Sequence, residues 1–319
     1  MRATLRLRSV RVTCAVAGLL AIGLCFSALL GTPGPESALV LGVILPPFCG
    51  AMGVRIVDRH RGAPVGVLVT HAVTVAWLAL GLAVAIFALN MLRVPMCDPL
   101  GGLAFLALGP GAAMPLAATV GVVVGAFVPR VRLATTIAVL VPLVADGVEV
   151  WGFYATPAIF AYAHFAAYFP GTLYDPDVTI GGAYVSYRVL TLIWWGALVS
   201  GLAATWDPEA RRAHVQRTLE RWQLGVLSVA LVTAGIALES EGHRLGHFST
   251  VETISEALGG RLESERCVVV YPRETPRSEA RRLADDCDFR VRRVEEVLGV
   301  HQPVPVTASS SAPPRRSAP

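Results

Sequence analysis

The sequence predicts an α-helical polytopic membrane protein with about seven transmembrane helices and a small, incomplete α/β extracytoplasmic segment after them. Three observations carry that reading. Of the 319 residues, 54% are apolar and 16% charged, and the mean hydropathy is +0.58, whereas about a quarter of an ordinary soluble domain is charged. Uncharged runs of roughly 20 residues, the length that crosses a bilayer core as a helix, recur until Glu239. The cations between those runs are distributed unequally, which gives the chain a direction.

The first run, Val12 to Gly31, follows Arg2, Arg6, Arg8 and Arg11. The same pattern fits the basic and apolar regions of a signal peptide. No A-x-A site follows, and neither Cys14 nor Cys25 sits in a good lipobox, so the run is read as a retained span. After the turn Thr32-Pro33-Gly34-Pro35, the second span covers Ser37 to Val54, and Pro46-Pro47 inside it predicts a kink. Span three is Pro64 to Leu89, with His71 inside it. Leu100 to Pro110 is short and glycine-rich, a re-entrant or interfacial helix leading into span four, Gly111 to Val128. The spacing Gly121-Val-Val-Val-Gly125 in that span lets two helix backbones approach closely, most simply within the same chain.

Span five, Leu133 to Trp151, carries Asp146 and Glu149. The aromatic segment Phe153 to Gly182 follows it, and its Tyr168 to Asp175 run reads as an interfacial loop with rings at headgroup level. Span six is Ala183 to Thr205, the charged connector is Trp206 to Arg221, and span seven is Trp222 to Leu238. The amino-terminal tail, Arg55 to Arg61, Arg130 to Arg132 and the Arg211 to Arg221 connector hold thirteen arginines, and the intervening loops hold Arg93. The excess of cations on cytoplasmic loops then puts the amino terminus in the cytoplasm and everything after Glu239 outside.

Composition and motifs exclude several function classes. The net charge of +4 is scattered over short loops with no lysine, so nucleic acid is not an expected partner; the lipid bilayer is. No P-loop, G-x-G-x-x-G, G-x-S-x-G or zinc-finger spacing occurs, which argues against an ATPase or a soluble hydrolase. No catalytic residue and no cofactor is assigned. The candidate polar residues of the spans are Asp146, Glu149, Arg188 and His71. Asp146 and Glu149 share a helix face, and Arg188 at the start of span six could pair with either; interfacial exposure and a proton or ion route are the alternatives. His71 is read as a packing residue. His243 and His247 are four apart, a spacing that suits two metal ligands on a helix, but His-Arg-Leu-Gly-His lacks the glutamate of a zinc-peptidase helix and no metal is assigned.

Beyond Glu239 the composition is that of a soluble segment. Thr250 to Leu258 predicts a helix stopped by Gly259-Gly260, and Arg266 to Tyr271 a buried strand. Thr275-Pro276 starts a second helix that Gly299 ends, with an apolar face of Ala280, Leu283, Cys287, Val291, Val294 and Leu298. A strand packed on that helix could bring Cys267 and Cys287 into a disulfide. Val304-Pro-Val-Thr could begin a second strand, and a low-complexity ending follows. The organisation is thus 1–240 membrane domain, 241–304 helix-strand-helix segment and 305–319 disordered tail.

A span-rich module followed by the run Arg266 to Tyr271 and the helix Ser278 to Gly299 resembles bacterial inner-membrane proteins that carry an extracytoplasmic gluzincin-type (peptidase MA-like) domain. The resemblance covers about the last quarter of the chain. It implies the membrane anchor of a peptidase-like protein, and the H-E-x-x-H helix of that family is absent, so no zinc ligand or general base is carried over and a truncated or frame-shifted product is the expectation. The alternative is a transporter or permease subunit using Asp146, Glu149 and Arg188.

Overall fold

The computed structural model describes residues 1–155, 160–169, 178–210, 212–213, 218–248 and 250–309. Two compact units result, Met1–Phe248 and Ser249–Pro319.

The first unit opens with a single turn, α1 (Arg2–Leu5), and α2 (Arg8–Leu24). At 17 residues α2 stops short of the expected Gly31. Side chains distant in sequence bind the carbonyls beyond it: Arg93 Nη2 donates to Cys25 O at 2.6 Å and Asn90 Nδ2 to Gly31 O at 2.7 Å. Proline at its first position starts α3 (Pro35–Arg59), and the Ser37 hydroxyl accepts from the Gly34 N–H at 2.9 Å. The helix runs through the buried Pro46 and Pro47 without a break.

Next come α4 (Val65–Asn90), α5 (Pro99–Leu108) and α6 (Pro110–Phe127). Asp98 caps α5 by accepting from the Gly101 N–H at 3.0 Å. Gly109 separates α5 from α6, where Pro110 has no amide to continue the ladder. The unit continues with α7 (Val131–Ala155), the strands β1 (Ala161–Ala163) and β2 (Ala167–Phe169), α8 (Gly182–Thr205), the two-residue strands β3 (Trp206–Asp207) and β4 (Arg212–Ala213), and α9 (Leu219–Ser240). Most of the Tyr168 to Asp175 run, expected as an interfacial loop, lies outside the described residues.

Among the described residues six helical segments are long and apolar enough to cross a membrane: α3, α4, α5 with α6, α7, α8 and α9. The expected first span corresponds to α2, which falls short of the roughly 20 residues a bilayer core requires. Large apolar side chains such as Leu19, Trp77, Val144, Trp151, Val189, Trp222 and Val229 are exposed. So much exposed apolar surface suits contact with lipid tails rather than water, and the unit is compatible with a multi-pass membrane protein.

Glycines set the packing of the first unit around α3. A methyl group on Gly53 would collide with the Ala118 carbonyl, one on Gly121 with the Gly50 carbonyl and one on Gly50 with the Ala138 carbonyl. The small-residue spacing of α6 is therefore used within the chain, against α3. A methyl on Gly125 would lie 3.1 Å from Val54 Cα. At one end of the unit the arginine-bearing segments meet. Thr4 Oγ1 lies 3.3 Å from His60 Nε2 and 3.2 Å from His71 Nδ1, Arg61 Nη2 donates to Pro129 O at 3.5 Å, and Trp206 Nε1 donates to Ala63 O at 3.0 Å. The Arg221 guanidinium donates to Trp206 O.

The second unit holds α10 (Val251–Leu258), β5 (Gly259–Glu263), β6 (Cys267–Pro272), α11 (Arg277–Leu298) and β7 (Val306–Ser309). Thr250 caps α10, accepting from the Thr253 N–H at 3.2 Å, and Gly259 ends it at φ 70°. The sheet order is β5-β6-β7, with β5 antiparallel and β7 parallel to the central β6. This corrects the expectation of a lone strand in a helix-strand-helix segment. Gly259-Gly260 both ends a helix and begins a strand, and β7 starts within Val304-Pro-Val-Thr, where a second strand could begin, and runs into the expected disordered tail, its parallel pairing depending on α11 as the crossover. Cys267, Val269 and Ala284 form the core, with Leu262, Leu283 and Val291 against it. Asp288 Oδ1 accepts from Ser264 Oγ at 2.8 Å and from the Arg266 N–H at 3.0 Å.

Gly121→Val is expected to lower the folded stability of the purified protein by about 1–3 kcal/mol, because the added carbons meet α3 backbone that cannot yield. Gly81→Ala, where nothing lies within 4 Å, is expected to change it by less than about 0.5 kcal/mol. Thermal unfolding in detergent measures both, and equal effects would refute a glycine-set seam.

Candidate functional site

At the end of the first unit opposite the arginine-bearing segments, the polar residues of the spans converge on a hairpin. β1 and β2 pair antiparallel with Ala161 opposite Phe169, Tyr162 opposite Tyr168 and Ala163 opposite Ala167. Residues His164, Phe165 and Ala166 make the turn, and Ala167 takes φ 71°, a conformation that a residue with a Cβ rarely adopts. The turn sits on α3: a methyl on Gly42 would lie 2.9 Å from Phe165 O and 3.1 Å from Ala166 C.

Two charged side chains hold the backbone of that turn. Asp146, 7% exposed, projects from α7 and its Oδ1 accepts from the Ala166 N–H at 3.0 Å. Arg188, 3% exposed, projects from α8; its Nη1 donates to His164 O at 3.3 Å and its Nη2 to the Tyr184 hydroxyl at 3.4 Å. The guanidinium also lies over the rings of Tyr184 and Tyr187, 5.0 and 5.8 Å from their centroids. The expected pairing of Arg188 with an acid is thus replaced. Among the described residues it makes no ion pair with Asp146 or Glu149: its Nη atoms donate to the turn backbone and the Tyr184 hydroxyl, its charge faces two aromatic rings, and its buried Nε has no hydrogen-bond partner.

An aromatic group packs behind the turn. Tyr184 stacks within 5.4 Å of Tyr162 and of Tyr168, and His164 stacks on Tyr187 at 4.8 Å. Burial first, then the neighbouring phenols of Tyr168 and Tyr184, push the Tyr162 hydroxyl up to about 12, so it stays a neutral donor. His164 Nδ1 lies 2.9 Å from Thr191 Oγ1, and its Nε2 lies 3.6 Å from Glu239 Oε1, which also accepts from Trp194 Nε1 at 3.2 Å. His247 Nε2 lies 2.8 Å from Ser186 Oγ, with its ring edge against Tyr187.

Of the sequence candidates, Asp146, Glu149 and Arg188 therefore share one region. His71, read as a packing residue, sits at the opposite end with Thr4 and His60. His243 and His247 do not share a helix face. α9 ends at Ser240, and the chain turns through Gly246 at φ 75°, leaving His243 near Phe248 and His247 buried on α8. Among the described residues no group of three or more His, Cys, Asp or Glu side chains could hold a metal ion. His164, Tyr184, Tyr187 and Glu239 were not singled out from sequence. The spacing Tyr184-x-x-Tyr187-Arg188, which puts all three on one helix face, was the available signal.

No protein-family model matches the chain, and neither a curated protein nor a solved structure matches it.

Asp146→Ala is expected to cost about 1–3 kcal/mol, because it strands the buried Ala166 N–H, while Asp146→Asn, which keeps an acceptor, is expected to cost less. Equal losses would show that charge rather than the hydrogen bond matters. A pH dependence follows from His247, whose imidazole is held below its ordinary 6.5 by burial and then by His164. The unfolded chain binds that proton more readily, so stability is full above 6.5 and is lost as pH falls through 6.5 toward the lowered folded value. His247→Gln is expected to flatten that loss in melting curves taken between about pH 7.5 and 5.

Proposed function

We propose that the chain is a multi-pass protein of a bacterial inner membrane with its amino terminus in the cytoplasm, in which the first unit anchors the second on the extracytoplasmic side. We read α2 as a further span, the first of seven. The single observation that carries the reading is the disulfide between Cys267 and Cys287, whose Cα atoms are 6.2 Å apart, while Cys14, Cys25, Cys49 and Cys97 of the first unit are free. Disulfides persist in oxidising compartments, and the arginine distribution independently favours the same side for the second unit. The likeness of β6 and α11 to the first elements of a gluzincin-type domain supports an anchoring role of peptidase-like origin. With no H-E-x-x-H in the chain, catalysis is assigned to none of its residues.

The alternative, a transporter or permease subunit with a route past Asp146, Glu149 and Arg188, has less support. Asp146 and Arg188 are both engaged on the backbone of the His164–Ala166 turn.

Reporter fusions after Arg61 and Arg132 are expected to report cytoplasm, and one after Gly260 the outside; a cytoplasmic signal at Gly260 would sink the proposal. Cys267 and Cys287 are expected to resist maleimide until reduced. Replacing both by serine is expected to destabilise the second unit by about 3 kcal/mol, since the bridge closes a loop of sequence separation 20.

A further inference from the structure

A cavity of about 360 Å³ lies between α3, α7 and the β1–β2 hairpin, within the size range of small-ligand sites. Its walls are apolar, built from side chains such as Leu39, Val43, Leu143 and Phe153, and Asp146 and Glu149 are the two acids that line it. Asp146 is nine-tenths buried and uses Oδ1 on the Ala166 N–H, and its Oδ2 has no hydrogen-bond partner. Glu149 stands one helical turn further on, half-buried, and among the described residues it has no hydrogen bond or ion pair. Arg188 is turned to His164 O and Tyr184.

A buried carboxylate oxygen without a donor is costly, and a ligand cation would remove that cost. An ammonium group carries three donors and can reach carboxylates at positions i and i+3 together. The apolar walls call for an apolar body on that cation, and the two acids disfavour an anion. We propose that this cavity binds an organic ammonium ion with an apolar body, the cation at the Asp146 and Glu149 carboxyl groups and the body along Leu39, Val43, Leu143 and Phe153. The ammonium head of a membrane lipid and a free lipophilic amine both have this chemistry.

The test uses the full chain in phosphatidylglycerol nanodiscs and a photoactivatable dodecylammonium probe, with adducts mapped by mass spectrometry. Saturable adducts on α7 or the hairpin are expected, competed by dodecylammonium and not by dodecanol. Glu149→Gln, which touches no structural partner, is expected to weaken half-saturation about tenfold, the loss of one charge-assisted contact. Leu143→Trp, which fills the cavity and leaves both acids in place, is expected to reduce labelling as well. Competition by dodecanol equal to that by the amine, or wild-type labelling of both variants, would overturn the proposal. Added phosphatidylethanolamine distinguishes the sources: loss of labelling identifies a lipid headgroup as the occupant, and retained labelling identifies a free amine.

Discussion

The first unit depends on how closely other backbones approach α3. Three glycines along that helix receive neighbouring backbones: Gly42 that of the His164–Ala166 turn, Gly50 those of α6 and α7, and Gly53 that of α6. Between helices in an apolar solvent there is little hydrophobic drive to association, so packing contacts and backbone proximity carry the energy. The same seam fixes the rotation of α7 and therefore the side of it that Asp146 faces. A functional arrangement at one end thus rests on small residues more than a helical turn away.

Asp146 and Arg188 would be expected to meet as an ion pair, since two buried charges of opposite sign usually share a contact. Here each binds a different group of one turn, an amide for the acid and a carbonyl for the base. The Coulomb attraction between them persists at the longer distance while both satisfy backbone groups. Tyr184 and Tyr187 add aromatic faces to the guanidinium, which is more weakly hydrated than an ammonium and loses less on burial.

The spans were legible because length and apolarity alone define them, and each of the six helical segments overlaps an uncharged run. The end of α2 was not, since Asn90 and Arg93 bind carbonyls 59 and 68 residues away in sequence. Asp146, Glu149 and Arg188 stood out as rare ionisable groups in apolar runs. Their true partners did not, because β1 and β2 are three residues each, too short for alternation to register. In the second unit the strand Cys267–Pro272 was marked by its valines and the start of Val306–Ser309 by Val304-Pro-Val-Thr, whereas Gly259–Glu263 opens with two glycines, which signal a turn. The cysteines were legible as a pair because strand and helix each present one to the common core.

The need for charged residues in this part of the chain follows from the hairpin. A helix satisfies its own backbone, but a two-stranded ribbon and its turn leave amides and carbonyls that need partners where protein covers them. Side chains from neighbouring helices must then stand in for the absent strands: a carboxylate to accept from the Ala166 N–H, and a guanidinium to donate to His164 O. On this argument Asp146 Oδ1 and the Nη atoms of Arg188 are committed to structure. Asp146 Oδ2 and the carboxylate of Glu149 are left over from that task, and Asp146 and Glu149 are both residues of the cavity beside the hairpin. The same non-helical segment that draws Asp146 and Arg188 to its backbone therefore also borders the cavity that Glu149 lines.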